Sequence, residues 1–382
     1  MSEFKSKLPN AGTTVFTVMS RMAQDHDAIN LAQGFPDFDG PPLLRERVTW
    51  HLEHGHNQYA PLAGVPQLCE QIAAKVQALY GHGIDPAGEI TVTPGATEAI
   101  YCAVTAVVHP GDEVIMFDPA YDTYEPSVTL NGGTSRRIPT YYPDFAIDWD
   151  RVRAAINSKT RLIMLNTPHN PSGSTWTQHD IDMLRELTSG TDILLLADEV
   201  YEHIVFDGKP HLSLLRYPDL AARSFAVYSF GKTYHATGWR IGYCIAPPVL
   251  MKEFLRIHQF INFSTNAPLQ YALADYLRDC PSHHLELGAF YQRKRDLFCD
   301  LLSRSRFRLQ PSAGTFFQLA DYRELSDEGD QEFAARLVRE FKVAVIPVSV
   351  FYAEPPDQRV IRFCFAKGDD TLRQAAQRLG NV

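Results

Sequence analysis

The sequence predicts an α/β protein: a mostly parallel sheet sandwiched by helices, followed by a smaller α+β domain. Three observations carry that expectation. Short β-branched runs recur through the middle of the chain and alternate with helical patterns. Several of these runs are apolar at consecutive rather than alternate positions, as strands buried on both faces are. Past residue 279 the pattern changes to amphipathic helices and isolated strands.

In chain order, segment 1–40 is too short to stand alone and is expected to pack against the small C-terminal domain. Over 67–80, Leu68, Ile72, Val76 and Leu79 share one helical face. EITVT at 89–93 is a strand, and the TPGATEAI that overlaps its end opens a small-residue helix closed by His109-Pro110-Gly111-Asp112. EVIMFD at 113–118, RLIMLN at 161–166, ILLLAD at 193–198, FAVYSF at 225–230 and IGYCIA at 241–246 are further strands. These elements place a large domain over 41–278. In the small domain, 279–382, Phe333, Leu337 and Phe341 share a helical face. KVAVIPVSVF then reads as one strand, RVIRFCFA at 359–366 as another, and DDTLRQAAQRL as the closing helix.

Composition narrows the function. Of 382 residues, 45% are hydrophobic and 21% charged, so the chain has enough apolar side chain to offset the entropy of ordering. Lys plus Arg is 36 and Asp plus Glu is 45, a net charge of −9 that argues against nucleic-acid binding. No basic apolar helix suggests a membrane surface, and the longest nearly apolar run, 99–108, is too short to span a bilayer. Six scattered cysteines without a C-x-x-C pair, and an N-terminus unlike a signal peptide, point to reduced thiols and a cytoplasmic location. His54, His56, His283 and His284 are read as surface histidines, and no metal site is expected.

The strongest chemical signal is SFGKTYHATGWRIGY at 229–243. Lys232 follows the strand FAVYSF, at the strand end where open α/β sheets bind ligands, and a lysine there can act as a Schiff-base nucleophile. A lone loop lysine is more often merely exposed. Here Ser229 stands three residues before it and Arg240 eight after it, a hydroxyl and a guanidinium suited to clamping a phosphate.

Three further motifs agree. In ILLLADEVYEHIVF, Asp198 ends a buried strand, where a carboxylate needs a cation or a donor, and Tyr201 follows three residues on. Taken alone, Asp198 is equally a helix N-cap. In LNTPHNPSG, two prolines fix a loop that presents the Asn170 amide; the plainer alternative is a rigid turn. In TVTPGATEAI, Gly95, Ala96 and Thr97 stand at a helix N-terminus whose N–H groups favour phosphate, with no Walker-type lysine after them. Tyr121, just past a strand, offers a flat ring for stacking, or else a core aromatic. Together these pieces specify pyridoxal 5′-phosphate. Lys232 takes the aldehyde and Asp198 the ring nitrogen. Tyr201 and Asn170 meet the ring oxygen. Gly95, Ala96, Thr97, Ser229 and Arg240 hold the phosphate.

Nearly the whole chain resembles a fold-type I aminotransferase, through INLAQGFPDFDGP, NQYAPLAG, VTPGATEAI, NTPHNPSG, ADEVY, SFGKTYHATGWRIGY, IPVSVF and RFCFA in that order. Within the family it is most similar to the branch of kynurenine/glutamine–phenylpyruvate and bacterial methionine aminotransferases. The resemblance implies the PLP-dependent transferase fold, with a seven-stranded sheet, and a homodimer with shared active sites. It implies that Arg362 binds the substrate α-carboxylate and that Gly34 contacts substrate through its backbone. It implies that Tyr59 reaches the neighbouring subunit's phosphate. Phe16, Phe263 and Phe351 would line the side-chain pocket, Phe263 from the partner. Phe16 and Ser264 stand where the kynurenine enzymes often carry Trp and His, which weighs against a kynurenine preference.

The activity expected is transfer of an amino group from an amino acid to a 2-oxo acid, with methionine and aromatic donors favoured by the phenylalanine-lined pocket. Aspartate is expected to be a poor donor unless an arginine such as Arg21 or Arg256 turns inward. A C–S β-lyase on the same fold is the alternative, distinguished by release of pyruvate and ammonia without an added oxo acid. A non-catalytic regulator of aminotransferase type is the third, disfavoured by the acidic charge and the full set of site residues.

Overall fold

In the computed structural model, which describes residues 5–9 and 11–382, the chain makes one short strand, β1 (Ile29–Asn30), before the central sheet. Within the expected N-terminal segment, residues 1–4 and 10 lie outside that description. The central sheet comprises β2 (Ile90–Thr93), β3 (Glu113–Asp118), β4 (Thr134–Pro139), β5 (Thr160–Asn166), β6 (Leu194–Asp198), β7 (Ser224–Ser229) and β8 (Gly242–Ile245). Its order is β2-β8-β7-β6-β5-β3-β4. The pairings among β3 to β7 are parallel, and β8 is antiparallel to both of its neighbours. This is the mostly parallel seven-stranded sheet that the resemblance implies.

The consecutive apolar positions arise because both faces are covered. Along β3, Val114 and Met116 pack into one core while Ile115 and Phe117 pack into another. On β5, Leu162 and Met164 alternate with Ile163 and Leu165 between the same two cores. β4 is the strand that hydrophobic runs do not reveal. It lies at the sheet edge, with sequence TSRRIP, and its arginines pair with carboxylates of β3: Arg136 with Glu113 and Arg137 with Asp118, each at 2.6 Å. Charge suits an edge that must not recruit another strand.

Beyond the large body, β9 (Arg308–Leu309), β10 (Phe317–Asp321), β12 (Ile346–Pro347) and β13 (Val360–Cys364) form a second, antiparallel sheet. The run KVAVIPVSVF is not one strand. It divides into β11 (Val343–Ala344), which pairs in parallel with β1, and β12, which pairs with β13. Pro347 has no N–H to continue a ladder, and the chain turns into a 3-10 helix over Ser349–Phe351. The helix Val15–Asp25 buries Met19 and Ala23 in the core that holds Phe333, Leu337 and Val343, so the N-terminal segment contacts the small sheet and its helices.

Of the histidines expected at the surface, His54 is exposed and His56 and His283 are partly covered, but His284 is buried. It falls on the inward stripe of the helix His283–Leu302 with Leu287 and Tyr291, at helical spacing. Its ring centroid lies 4.8 Å from that of His203. Among the described residues, no helix is long and apolar enough to cross a membrane.

Candidate active site

The C-terminal ends of β5, β6 and β7 meet the N-terminus of the helix Ala96–Val107, and a cleft of about 110 Å³ opens between them. Its lining brings together Ala96, Thr97, Tyr121, Asn170, Asp198, Tyr201, Ser229, Lys232 and Arg240. Ile100, Asn166 and Val200 complete it, and none of the three carries a role that sequence alone assigned.

Lys232 stands on the single turn Phe230–Thr233 that follows β7. Its Nζ donates to the Gly34 carbonyl at 3.1 Å and lies 5.5 Å from the Tyr201 ring centroid and 5.4 Å from that of Phe316. Burial pushes its pKa down to about 8, and the nearby Arg240 and Arg362 charges act in the same direction. A side chain at Gly34 would meet the Phe317 ring at 2.9 Å, so this carbonyl approaches the lysine only from a glycine.

Asp198, at the end of β6, is 4% exposed. Its Oδ2 accepts from the Tyr124 hydroxyl at 2.7 Å, and its Oδ1 accepts from the Val200 N–H at 3.3 Å. Burial outweighs those donors and lifts the carboxyl to about 6. Asn166 fastens the same strand end, donating from Nδ2 to the Asp198 carbonyl at 2.8 Å while its Oδ1 accepts from the Asn170 N–H at 2.8 Å. The peptide bonds Thr167–Pro168 and Asn170–Pro171 are both cis. Tyr201 is buried with its ring edge-on to Phe316, and burial holds its phenol well above the usual range.

Opposite Lys232, Gly95 has φ 82° and precedes the helix Ala96–Val107. A Cβ there would lie 2.5 Å from Arg240 Nη2, so the guanidinium packs against bare backbone at the helix N-terminus. Guanidinium, helix N–H groups and the nearby Ser229 make an anion seat.

Arg362 reaches the same region from β13 and is fully buried. Nη1 donates to Asn170 Oδ1 at 2.7 Å and Nη2 to the Ala32 carbonyl at 2.8 Å, while Nε has no partner among the described residues. The guanidinium lies 3.9 Å from the Phe317 ring centroid, 5.3 Å from that of Phe16 and 5.9 Å from that of Phe351. Burial lowers its pKa to about 10.

Tyr59 and Phe263 are not in the cleft of this chain. They stand together at the surface, ring centroids 5.4 Å apart, 83% and 49% exposed.

Sequence reasoning missed the scaffold behind the cleft. Glu199 and Glu202 flank Asp198 and Tyr201 in the chain and turn inward, both buried. Glu199 accepts from the Leu214 N–H at 3.0 Å and from Tyr228 at 3.1 Å, and pairs with His211 at 2.8 Å. Glu202 accepts from Lys75 at 2.5 Å and from the Tyr80 hydroxyl. Burial opposes its ionisation, but the charges of His203 and Lys75 hold its carboxyl well below the usual range. The only sequence signal was Lys75 falling beside Val76 on the inward side of its helix, which apolar periodicity does not record.

A buried amine whose pKa is brought down to about 8, close enough to the buried Arg362 to feel its charge, suits an enzyme that handles amino acids. The comparisons are more specific: a profile of the aminotransferase class I and II family matches residues 26–379, and the chain belongs to that family. It is 51% identical over 375 residues to a methionine aminotransferase of Escherichia coli, covering 98% of this chain and 97% of the relative. A solved E. coli structure, described as identifying a methionine aminotransferase function, superposes with a TM-score of 0.98 at 50% identity over 100% of both chains. The N-succinyldiaminopimelate aminotransferase structure from Mycobacterium tuberculosis superposes with a TM-score of 0.95 at 36% identity, covering 99% of this chain and 100% of that one. Human kynurenine–oxoglutarate transaminase 3 is 32% identical over 97% of this chain and 88% of its own length.

Proposed function

We propose that the protein transfers the amino group of methionine and of aromatic amino acids to a 2-oxo acid, with pyridoxal 5′-phosphate held in the Lys232 cleft. The observation that carries this reading is the placement of Lys232 and Asp198 in one cleft whose other end is an anion seat. The similarity to methionine aminotransferases supports the choice of donor.

The residues present fit that cofactor. Asp198 is a buried carboxylate with only neutral hydrogen-bond donors on its two oxygens, and a protonated ring nitrogen supplies the missing cation. The bare backbone at Gly95 and the Arg240 guanidinium suit a phosphate dianion. When bound, pyridoxal 5′-phosphate supplies an aldehyde for the amino group and a ring that spreads the electron pair released at the substrate Cα.

The protein's own residues do the rest. Asp198 holds positive charge at its end of the cleft. Arg362 pairs with the α-carboxylate that every amino acid carries, and the Asn170 amide helps to orient it. Lys232 Nζ, whose pKa burial brings down to about 8, takes the proton that leaves the substrate Cα and returns it to the far side of the C–N bond. Tyr201 and Asn170 would hold the ring oxygen, and Tyr121 would offer its flat ring for stacking. Phe16 and Phe351, with ring centroids 5.8 Å apart, wall the side-chain pocket.

The charges near that pocket favour neutral donors. Arg137, in the adjoining cavity of about 630 Å³, is already bonded to Asp118 and Glu125 at 2.6 Å each and to the Phe351 carbonyl at 2.7 Å. Arg21 is exposed, and Arg256 pairs with Glu253 at 2.7 Å. Burying a second carboxylate without a cation costs several kcal/mol, roughly a hundredfold or more in kcat/KM. The test is kcat/KM for methionine, phenylalanine, kynurenine and aspartate with one oxo acid. Aspartate equal to methionine would overturn the substrate reading. Release of pyruvate and ammonia from a cysteine conjugate without an oxo acid would favour a lyase instead.

The same reading makes the protein a cytoplasmic homodimer, with 41–278 as the cofactor-binding body and 279–382 as the smaller domain. Tyr59, Phe263 and the 85% exposed Phe260 support the dimer, as large aromatics that a partner would cover.

A further inference from the structure

Three side chains that amino transfer does not use meet inside the large body. Glu98 and Cys102 stand four residues apart on the helix Ala96–Val107, hence on one face, and His258 reaches them from the helix Pro248–Ile261. Glu98 Oε1 accepts from the Cys102 thiol at 2.9 Å and lies 2.8 Å from His258 Nδ1. The three ligating atoms lie within 4.8 Å of one another. Cys102 and His258 are both 0% exposed, and the Glu98 side chain is 12% exposed.

Two atoms of the cluster are left over. Glu98 Oε2 and His258 Nε2 are buried without a hydrogen-bond partner among the described residues. A buried carboxylate oxygen with no donor costs free energy, and a cation beside it removes that cost. The donor set selects the cation. Thiolate, imidazole and a single carboxylate suit a borderline-soft ion rather than magnesium or calcium, which demand oxygen.

We propose that Glu98, Cys102 and His258 form a binding site for one zinc-class divalent cation, with water or the second Glu98 oxygen in the fourth position. Tetrahedral zinc sets its ligand atoms about 3.3–3.6 Å apart, so each of the two hydrogen-bonded pairs widens by about half an ångström to admit it. The thiol proton passes to solvent as the metal–sulfur bond forms. The imidazole binds through Nδ1 and carries its proton on Nε2. No electron is exchanged. Glu98 directly follows Ala96 and Thr97, which line the cleft, so a filled site fastens that first turn to the helix Pro248–Ile261.

The experiment titrates cadmium, a spectroscopic stand-in for zinc, into the full-length, cofactor-loaded protein. The readout is the ultraviolet thiolate-to-cadmium band, followed by competition with zinc. One equivalent per chain is expected, with a rise in melting temperature, because the ion binds the folded state. Cys102→Ser abolishes the band, and His258→Gln weakens binding at least tenfold. Cys280→Ser and Cys299→Ser, which remove the less buried thiols, leave it unchanged. Absence of the band, or its survival in Cys102→Ser, overturns the proposal. Should Cys102→Ser fail to fold by circular dichroism, Glu98→Gln takes its place, and unchanged zinc affinity in that variant overturns the proposal equally.

Discussion

The Tyr124 hydroxyl donates to Asp198 Oδ2 at 2.7 Å, and among the described residues it is the one side chain that donates to the Asp198 carboxylate. Tyr124 opens the helix Tyr124–Leu130, so a residue remote in sequence sets how readily the carboxylate stays charged.

Tyr124→Phe is therefore expected to lower kcat/KM about tenfold, the scale of one hydrogen bond to a charged group. The lost donor favoured the ionised form, so Asp198 titrates higher in the variant. The acid limb of the kcat/KM profile should move to higher pH. A profile that stays in place would separate Tyr124 from the Asp198 charge.

Lys232 should react with aldehyde at an unusually low pH. Only the free amine attacks, and burial brings its pKa down from 10.5 to about 8. Capture of pyridoxal 5′-phosphate by cofactor-free protein, followed by absorbance, should rise with pH and level off above about 8. Stability of that form carries the matching sign: the depressed amine contributes above 10.5 and the contribution is lost as pH falls through about 8. A capture rate still climbing at pH 10 would mean an ordinary exposed lysine.

Lys75→Met should destabilise the fold by about 3–5 kcal/mol, since it leaves the buried Glu202 without its lysine partner. Adding Glu202→Gln should recover part of the loss by removing the stranded charge. Urea melts of wild type, single and double variants decide it. Equal midpoints for wild type and Lys75→Met would show that the pair contributes nothing.

Tyr59 should act across subunits. Mixing a Lys232→Ala chain with a Tyr59→Ala chain should yield heterodimers with one intact site each, and activity above that of either parent. No gain on mixing, with subunit exchange shown by native mass spectrometry, would place Tyr59 outside the partner's site.

The fold was legible in the sequence wherever burial is two-sided. Consecutive apolar residues mark β3, β5 and β6 because both faces are covered. β4 was not legible, because an edge strand with paired arginines carries no such run. In the site, Lys232, Asp198, Tyr201 and Asn170 were legible because each ends or follows a strand inside a distinctive motif. Tyr124 was not, since an aromatic at a helix start looks like core. Glu199 and Glu202 stand inside a motif that was read, yet their inward turn depends on Lys75 and His211, far away in sequence. His284 shows the converse: with no carboxylate or cysteine at matching spacing the histidine pair read as surface, and helical periodicity put one of them in the core.

Arg362 is never idle. It bonds to the Ala32 carbonyl of the N-terminal segment and to Asn170 of the large body, from a strand of the small sheet. Three separate stretches of chain thus share one cation as a latch. On the function proposed above, a substrate carboxylate would meet a guanidinium that already has acceptors, so binding would be an exchange of acceptors and its net strength a difference rather than a sum. A ligand without a carboxylate would have nothing to offer in trade. Selection for amino acids would then begin with which molecules can replace a contact the protein already makes.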